Sequence, residues 1–275
     1  MKEPEKSINL VKRHPVAFYF VVTFAISWLG ALAVVAPRLL RGEAIRKFSG
    51  ILMFPVMLLG PVVSGILLTR LIEGTSGLRE LFSRMGRIRV GASWYAALLI
   101  PPATILLVLL VLKTFVSPVF TPNRFFIGAS FGIVAGFFEE IGWMGFAFPQ
   151  MTKTGNMLGA GIGLGVLWGF WHIPVIDFLG TATPHSYYWL PYFLAFTAAM
   201  TAMRVLIGWI YTNTKSVAVA QLMHASSTGS LVVLSPSRVT AAQEALWYAI
   251  YAAALCAIVG IVATLFGKGL TRRDG

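Results

Sequence analysis

Apolar stretches of roughly 20 residues recur along the whole chain, at residues 16–36, 51–72, 94–116, 125–148, 158–179, 189–211, 217–234 and 245–266, separated by short charged or Pro/Gly-containing breaks. About 20 apolar residues in a helix cross the hydrocarbon core of a bilayer. The pattern therefore predicts an all-α, polytopic integral membrane protein with about eight transmembrane helices. The only long polar connection is 73–90, EGTSGLRELFSRMGRIRV, in which Leu78, Leu81, Phe82 and Met85 fall at helical spacing. It reads as a short amphipathic helix on the membrane surface or as a solvated linker. No soluble domain or long repeat interrupts the series, so residues 1–275 read as a single integral membrane domain.

Composition supports this class and limits the partners. The chain is 57% hydrophobic and only 12% charged, with a mean hydropathy of +0.78. Soluble domains carry about a quarter charged residues. The net charge of +12 comes with no nucleic-acid motif and reads as membrane orientation and contact with anionic headgroups of the lipid bilayer. Assigned to tails and loops, the Lys and Arg residues favour the side of the two termini by about two to one, which places both termini in the cytoplasm. Only Arg204 is left inside a span. The single Cys256 excludes an intramolecular disulfide and a Cys-based metal cluster. The N-terminus shows neither a signal-peptide core nor an organellar targeting segment, so the expected setting is a prokaryotic plasma membrane.

Against this apolar background, adjacent carboxylates at Glu139 and Glu140 inside the fourth span are costly, and an intramembrane carboxylate marks a functional site by default. Gly128, Gly132 and Gly136 form a four-residue series whose next member is Glu140. Such a stripe lets helix backbones approach closely in lipid, so Glu140 falls on a packed face and Glu139 about 100° around from it. The fifth span repeats the device with Gly161, Gly165 and Gly169, leading to Trp168 and His172. In the seventh, Gln221, His224 and Thr228 share one helix face. Glu139, His172 and His224 all lie about 10–20 Å into the bilayer at ~1.5 Å per residue, a depth at which they can meet.

A carboxylate and an imidazole in a dry pocket can together deprotonate water, and a second imidazole with a nearby hydroxyl can donate hydrogen bonds to the oxyanion formed at a carbonyl. These parts suit amide hydrolysis. Glu139, His172 and His224 could equally ligate a divalent metal such as zinc that activates the water, and the sequence leaves both versions open. Other motifs are weaker. The G-x-S-x-G match at Gly128–Gly132 lacks the context of a nucleophile elbow, and no H-E-x-x-H occurs. Asp177 and His185 read as interfacial residues, and Trp143, Trp168 and Trp171 as lining or capping a pocket.

In order along the chain, Glu139-Glu140 with Met144, Trp168 with His172, and His224 with Thr228 resemble the EExxxR, FxxxH and HxxxN motifs of the CPBP family of intramembrane proteases, which contains the CAAX prenyl endopeptidases and the Abi bacteriocin-processing proteins. The resemblance covers about residues 125–230, a catalytic core formed by spans four to seven. It implies an intramembrane endopeptidase acting on a membrane-bound or lipidated peptide or protein. It further implies that Glu139 and His172 activate water, that His224 and Thr228 stabilise the oxyanion, and that Glu140 orients the site. Three positions depart from the family pattern. Met144 stands where Arg is expected, Thr228 replaces Asn, and Trp168 replaces Phe. Arg204, which cannot be deprotonated and needs a partner at its depth, is expected to pair with Glu140 in place of the missing arginine. The alternative is a catalytically inactive member acting as a membrane scaffold or bacteriocin-immunity protein. A proton-relaying transporter ranks third, because no paired discontinuous spans of an inverted repeat are visible.

Overall fold

The computed structural model describes residues 9–271 and contains helices and turns without a strand among them. Lys2, Lys6, Arg272 and Arg273, which contribute to the charge bias, lie outside the described residues. Eight principal helices follow one another: α1 (Pro15–Leu39), α2 (Leu59–Met85), α3 (Ile100–Phe115), α4 (Gly128–Gly142), α5 (Met157–Trp171), α6 (Trp189–Thr214), α7 (Val217–Leu234) and α8 (Ala241–Phe266). Short helical turns at Lys47–Ile51 and Met53–Met57 lead into α2, and one at Ala92–Ala96 precedes α3. The protein is an all-α polytopic membrane protein. Among the described residues, seven helical runs are long and apolar enough to cross a bilayer.

The exception is α5, expected from the sequence to span residues 158–179. It stops at Trp171 after 15 residues and continues as the 3-10 turn Ile173–Phe178. Pro174 is the reason: it has no N–H to give, and its ring collides with the carbonyl four residues back, here that of Phe170. The polar connection at 73–90 also differs from a bare linker. α2 runs on to Met85, broken at Gly74, whose φ of +72° is open to glycine and costly for other residues. The continuation docks through the fully buried Leu81 and leaves Phe82 exposed.

Helices α4 and α6 are central, covered over most of their surface by other helices, whereas α1 and α8 leave most of theirs to the surroundings. The two glycine stripes zip two helix pairs. On α4, Gly128, Gly132 and Gly136 face Val232, Gly229 and Ala225 of α7, and a Cβ at Gly132 would land on the backbone of Ala225 and Gly229. On α5, Gly161, Gly165 and Gly169 face Val205, Thr201 and Thr197 of α6. Backbones held this close bring α4, α5, α6 and α7 together where their polar residues lie.

Candidate active site

Two adjacent carboxylates on α4 face different neighbours. Glu140 points to α6 and α7: Arg204 Nη1 donates to both its oxygens at 2.7 Å, and His224 Nδ1 lies 2.6 Å from Oε1. All three side chains are at most 1% exposed. Because an ionised carboxylate only accepts, His224 Nδ1 must carry a proton here. The Arg204 guanidinium also lies over the Trp168 ring, 4.1 Å from its centroid, a favourable placement for a cation in a dry site.

Glu139 faces α5. Its Oε2 accepts from the indole N–H of Trp143 at 3.0 Å and of Trp168 at 2.7 Å. Its Oε1 is buried without a partner. Across Trp168, the His172 Nδ1 is 2.8 Å from the Trp168 carbonyl oxygen, so Nδ1 donates and Nε2 is left as an acceptor. The His172 ring stands among Trp171, Phe196, Trp168 and Phe54, with centroids at 4.8, 5.1, 5.4 and 6.3 Å. Trp168 thus touches every charged or basic member of the cluster except Glu140, and His224 meets its ring edge-on at 5.0 Å. Directly after the carboxylates the chain makes a π-helical turn, Trp143–Ala147, a local irregularity frequent at functional sites. Arg84 at the end of α2 pins that turn, donating to the Gly145 carbonyl at 3.0 Å and to the Tyr211 hydroxyl.

Residues 121–229 match the family described as type II CAAX prenyl endopeptidase Rce1-like. The chain is also similar to CAAX prenyl protease 2 of Methanococcus maripaludis, 25% identical over 239 residues, an alignment that takes in 79% of this chain and 83% of that protein. Over this interval the chain is similar to the CAAX protease family. The matched interval contains α4 to α6 and most of α7, and with them Glu139, Glu140, Trp168, His172, Arg204, His224 and Thr228.

Several residues of this core sit where the sequence suggested and others do not. The Glu140 to Arg204 pair forms, and Met144, at the family's arginine position, is wholly buried in the apolar core. Glu139 and His172 are brought together through Trp168 instead of by a mutual hydrogen bond. Thr228 lies one turn beyond His224 on α7, half-buried. Among the described residues, no group of three or more His, Cys, Asp or Glu side chains is arranged to hold a metal ion. The chemistry below takes no step through a metal.

The sequence reading missed the donor role of the tryptophans, although Trp143 follows Glu139 by four residues and Trp168 precedes His172 by four, spacings that share a helix face. His185, read from the sequence as an interfacial residue, is fully buried among protein side chains. The imidazole stacks on Tyr192 at 3.9 Å between Asp177, 3.1 Å from Nδ1, and Glu244 of α8, 3.4 Å from Nε2. No feature of the sequence links His185 to a residue 59 positions away.

Proposed function

We propose that this protein is an intramembrane endopeptidase that cleaves a peptide bond of a membrane-bound or lipidated substrate, with a prenylated C-terminal peptide, the class named in its archaeal relative, as the first to test. What carries the reading is the unpartnered, buried Oε1 of Glu139 on one side of Trp168 and the accepting Nε2 of His172 on the other. Both are bases with one lone-pair site left for a water molecule, and each is held by a hydrogen bond through its other heteroatom. Glu139 and His172 take a proton from water as its oxygen attacks the scissile carbonyl. The tetrahedral oxyanion collapses, the C–N bond breaks, and the abstracted proton passes to the leaving nitrogen.

His224 and Thr228 stabilise the oxyanion. For His224 to donate from Nε2 it must hold protons on both nitrogens, and Glu140 is the counter-charge facing the other one. Arg204 holds Glu140 in place and aims it. We place both termini on the cytoplasmic side of a prokaryotic plasma membrane, supported by the distribution of Lys and Arg. The test is cleavage of a prenylated peptide by protein purified into nanodiscs. Wild type cleaves, with or without a chelator, while Glu139→Gln and His172→Ala lose at least a hundredfold in kcat. Wild-type rates in both variants would refute the assignment. Abolition by chelator, restored by zinc, would return the metal version. Substrate binding by wild type without any cleavage would favour the scaffold reading.

A further inference from the structure

Helix α1 lies outside the matched interval and supplies nothing to the chemistry proposed above, yet two consecutive residues of it grip the segment that carries His172. The Trp171 indole N–H donates to Ser27 Oγ at 2.8 Å, and that hydroxyl donates on to the Met57 carbonyl at 2.6 Å. The next residue, Trp28, donates its indole N–H to the Trp171 carbonyl at 3.1 Å. Ser27 and Trp171 are fully buried.

The position of these bonds gives them their meaning. Pro174 ends α5, so the carbonyls of its last turn lose their helical partners and need others, since an unpaired carbonyl in hydrocarbon costs several kcal/mol. His172 Nδ1 takes that of Trp168, and Trp28 takes that of Trp171. The Trp171 carbonyl belongs to the peptide unit that leads into His172, so holding it sets the plane from which the His172 backbone departs. The Trp171 ring, locked through Ser27, then forms an edge-on wall 4.8 Å from the imidazole at 84°. The backbone leading into His172 and one wall of the imidazole are thus held from α1.

We infer that Ser27 and Trp28 are positioning residues for His172, fixing its orientation and its Nδ1–H tautomer so that Nε2 faces the reacting water. This rests on the reading of His172 as a base. Ser27→Ala removes two hydrogen bonds and Trp28→Phe one, and both keep most of the packing volume. Trp28 is 37% exposed, so the Phe variant is the safer of the two for folding.

Two readouts test the inference. In peptide cleavage, each variant lowers kcat roughly tenfold to a hundredfold with KM within about twofold, the range expected for a misplaced catalytic group. In ¹⁵N-histidine NMR of nanodisc-embedded protein, the His172 signal, assigned among the four histidines by its loss in His172→Ala, moves from the pure Nδ1–H pattern toward a tautomer mixture. Wild-type kcat and an unchanged tautomer in both variants, with His172→Ala inactive, would overturn the inference and leave the proposed function standing. If His172→Ala stays active, the function reading fails, and the tautomer signal alone decides the positioning claim.

Discussion

Replacing Arg204 by methionine removes the only guanidinium bonded to Glu140 and leaves a fully buried carboxylate with His224 as its one hydrogen-bonding partner. Breaking a buried ion pair from one side costs about 3–5 kcal/mol, because the remaining charge stays desolvated. At ~2–4 °C per kcal/mol for a chain of this size class, melting of the purified protein falls by roughly 6–20 °C. Activity falls with it, since the carboxylate that faces His224 is no longer held. Two double variants separate charge from chemistry. Arg204→Met with Glu140→Gln removes both charges while keeping an acceptor for His224 Nδ1, and restores most of the melting temperature without restoring cleavage. Arg204→Met with Met144→Arg offers Glu140 a partner at the family's position and restores both, if the π-helical turn lets the new side chain reach. A melting temperature within about 1 °C of wild type for Arg204→Met alone would refute the claim that this pair bears charge in a dry site.

Trp168→Phe restores the residue of the family motif but deletes one of the two N–H donors to Glu139 and weakens the face under Arg204. Losing a charge-assisted bond worth ~1.5–3 kcal/mol lowers kcat about tenfold or more, and unchanged steady-state cleavage would show the indole N–H to be idle. His185 yields a pH dependence outside the membrane-spanning segments. Its burial acts to lower its pKa, but the hydrogen bonds and charges of Glu244 and Asp177 outweigh that and hold it above the ordinary value. A raised histidine stabilises fully below the unfolded value of about 6.5 and loses that contribution as pH rises through the folded value. Amide exchange of the 180–188 connection, corrected for intrinsic rates, therefore rises across that alkaline window in wild type. It becomes pH-independent in His185→Gln, and the same slope in both would exclude the imidazole as the titrating group.

Most of the fold was legible because bilayer depth forces a simple code of long apolar runs, and α7 falls on the expected residues 217–234 between Ser216 and Ser235-Pro236. The glycine series were equally readable, since backbone contact in lipid leaves few residue choices. What escaped was non-local or irregular. The early end of α5 follows from Pro174, which was visible but was overridden by a continuous apolar run. The π-helical turn has no sequence mark, and the grip of Arg84 on it depends on α2 continuing past Gly74. Within the site, ion pairing was predictable from the cost of burying Arg204, whereas tryptophan donors were overlooked because an indole looks like core until its N–H has a destination.

The displacement of arginine from position 144 to position 204 changes more than which residue neutralises Glu140. An arginine four residues after Glu140, in the π-helical turn that follows α4, would close the ion pair along one continuous helical run and leave the neighbouring helices free of it. Here the partner comes from α6, the helix zipped to α5 by Gly161, Gly165 and Gly169, while Glu140 sits on the helix zipped to α7. The Arg204 to Glu140 pair and the Trp168 to Glu139 bond are therefore ties between two glycine-packed helix pairs, made in the low-dielectric interior where each is hard to lose. The two ties hold neighbouring carboxylates on one helix from different elements, which separates their surroundings: both oxygens of Glu140 are bonded to the scaffold, whereas Glu139 is bonded through Oε2 and its Oε1 has no partner among the described residues.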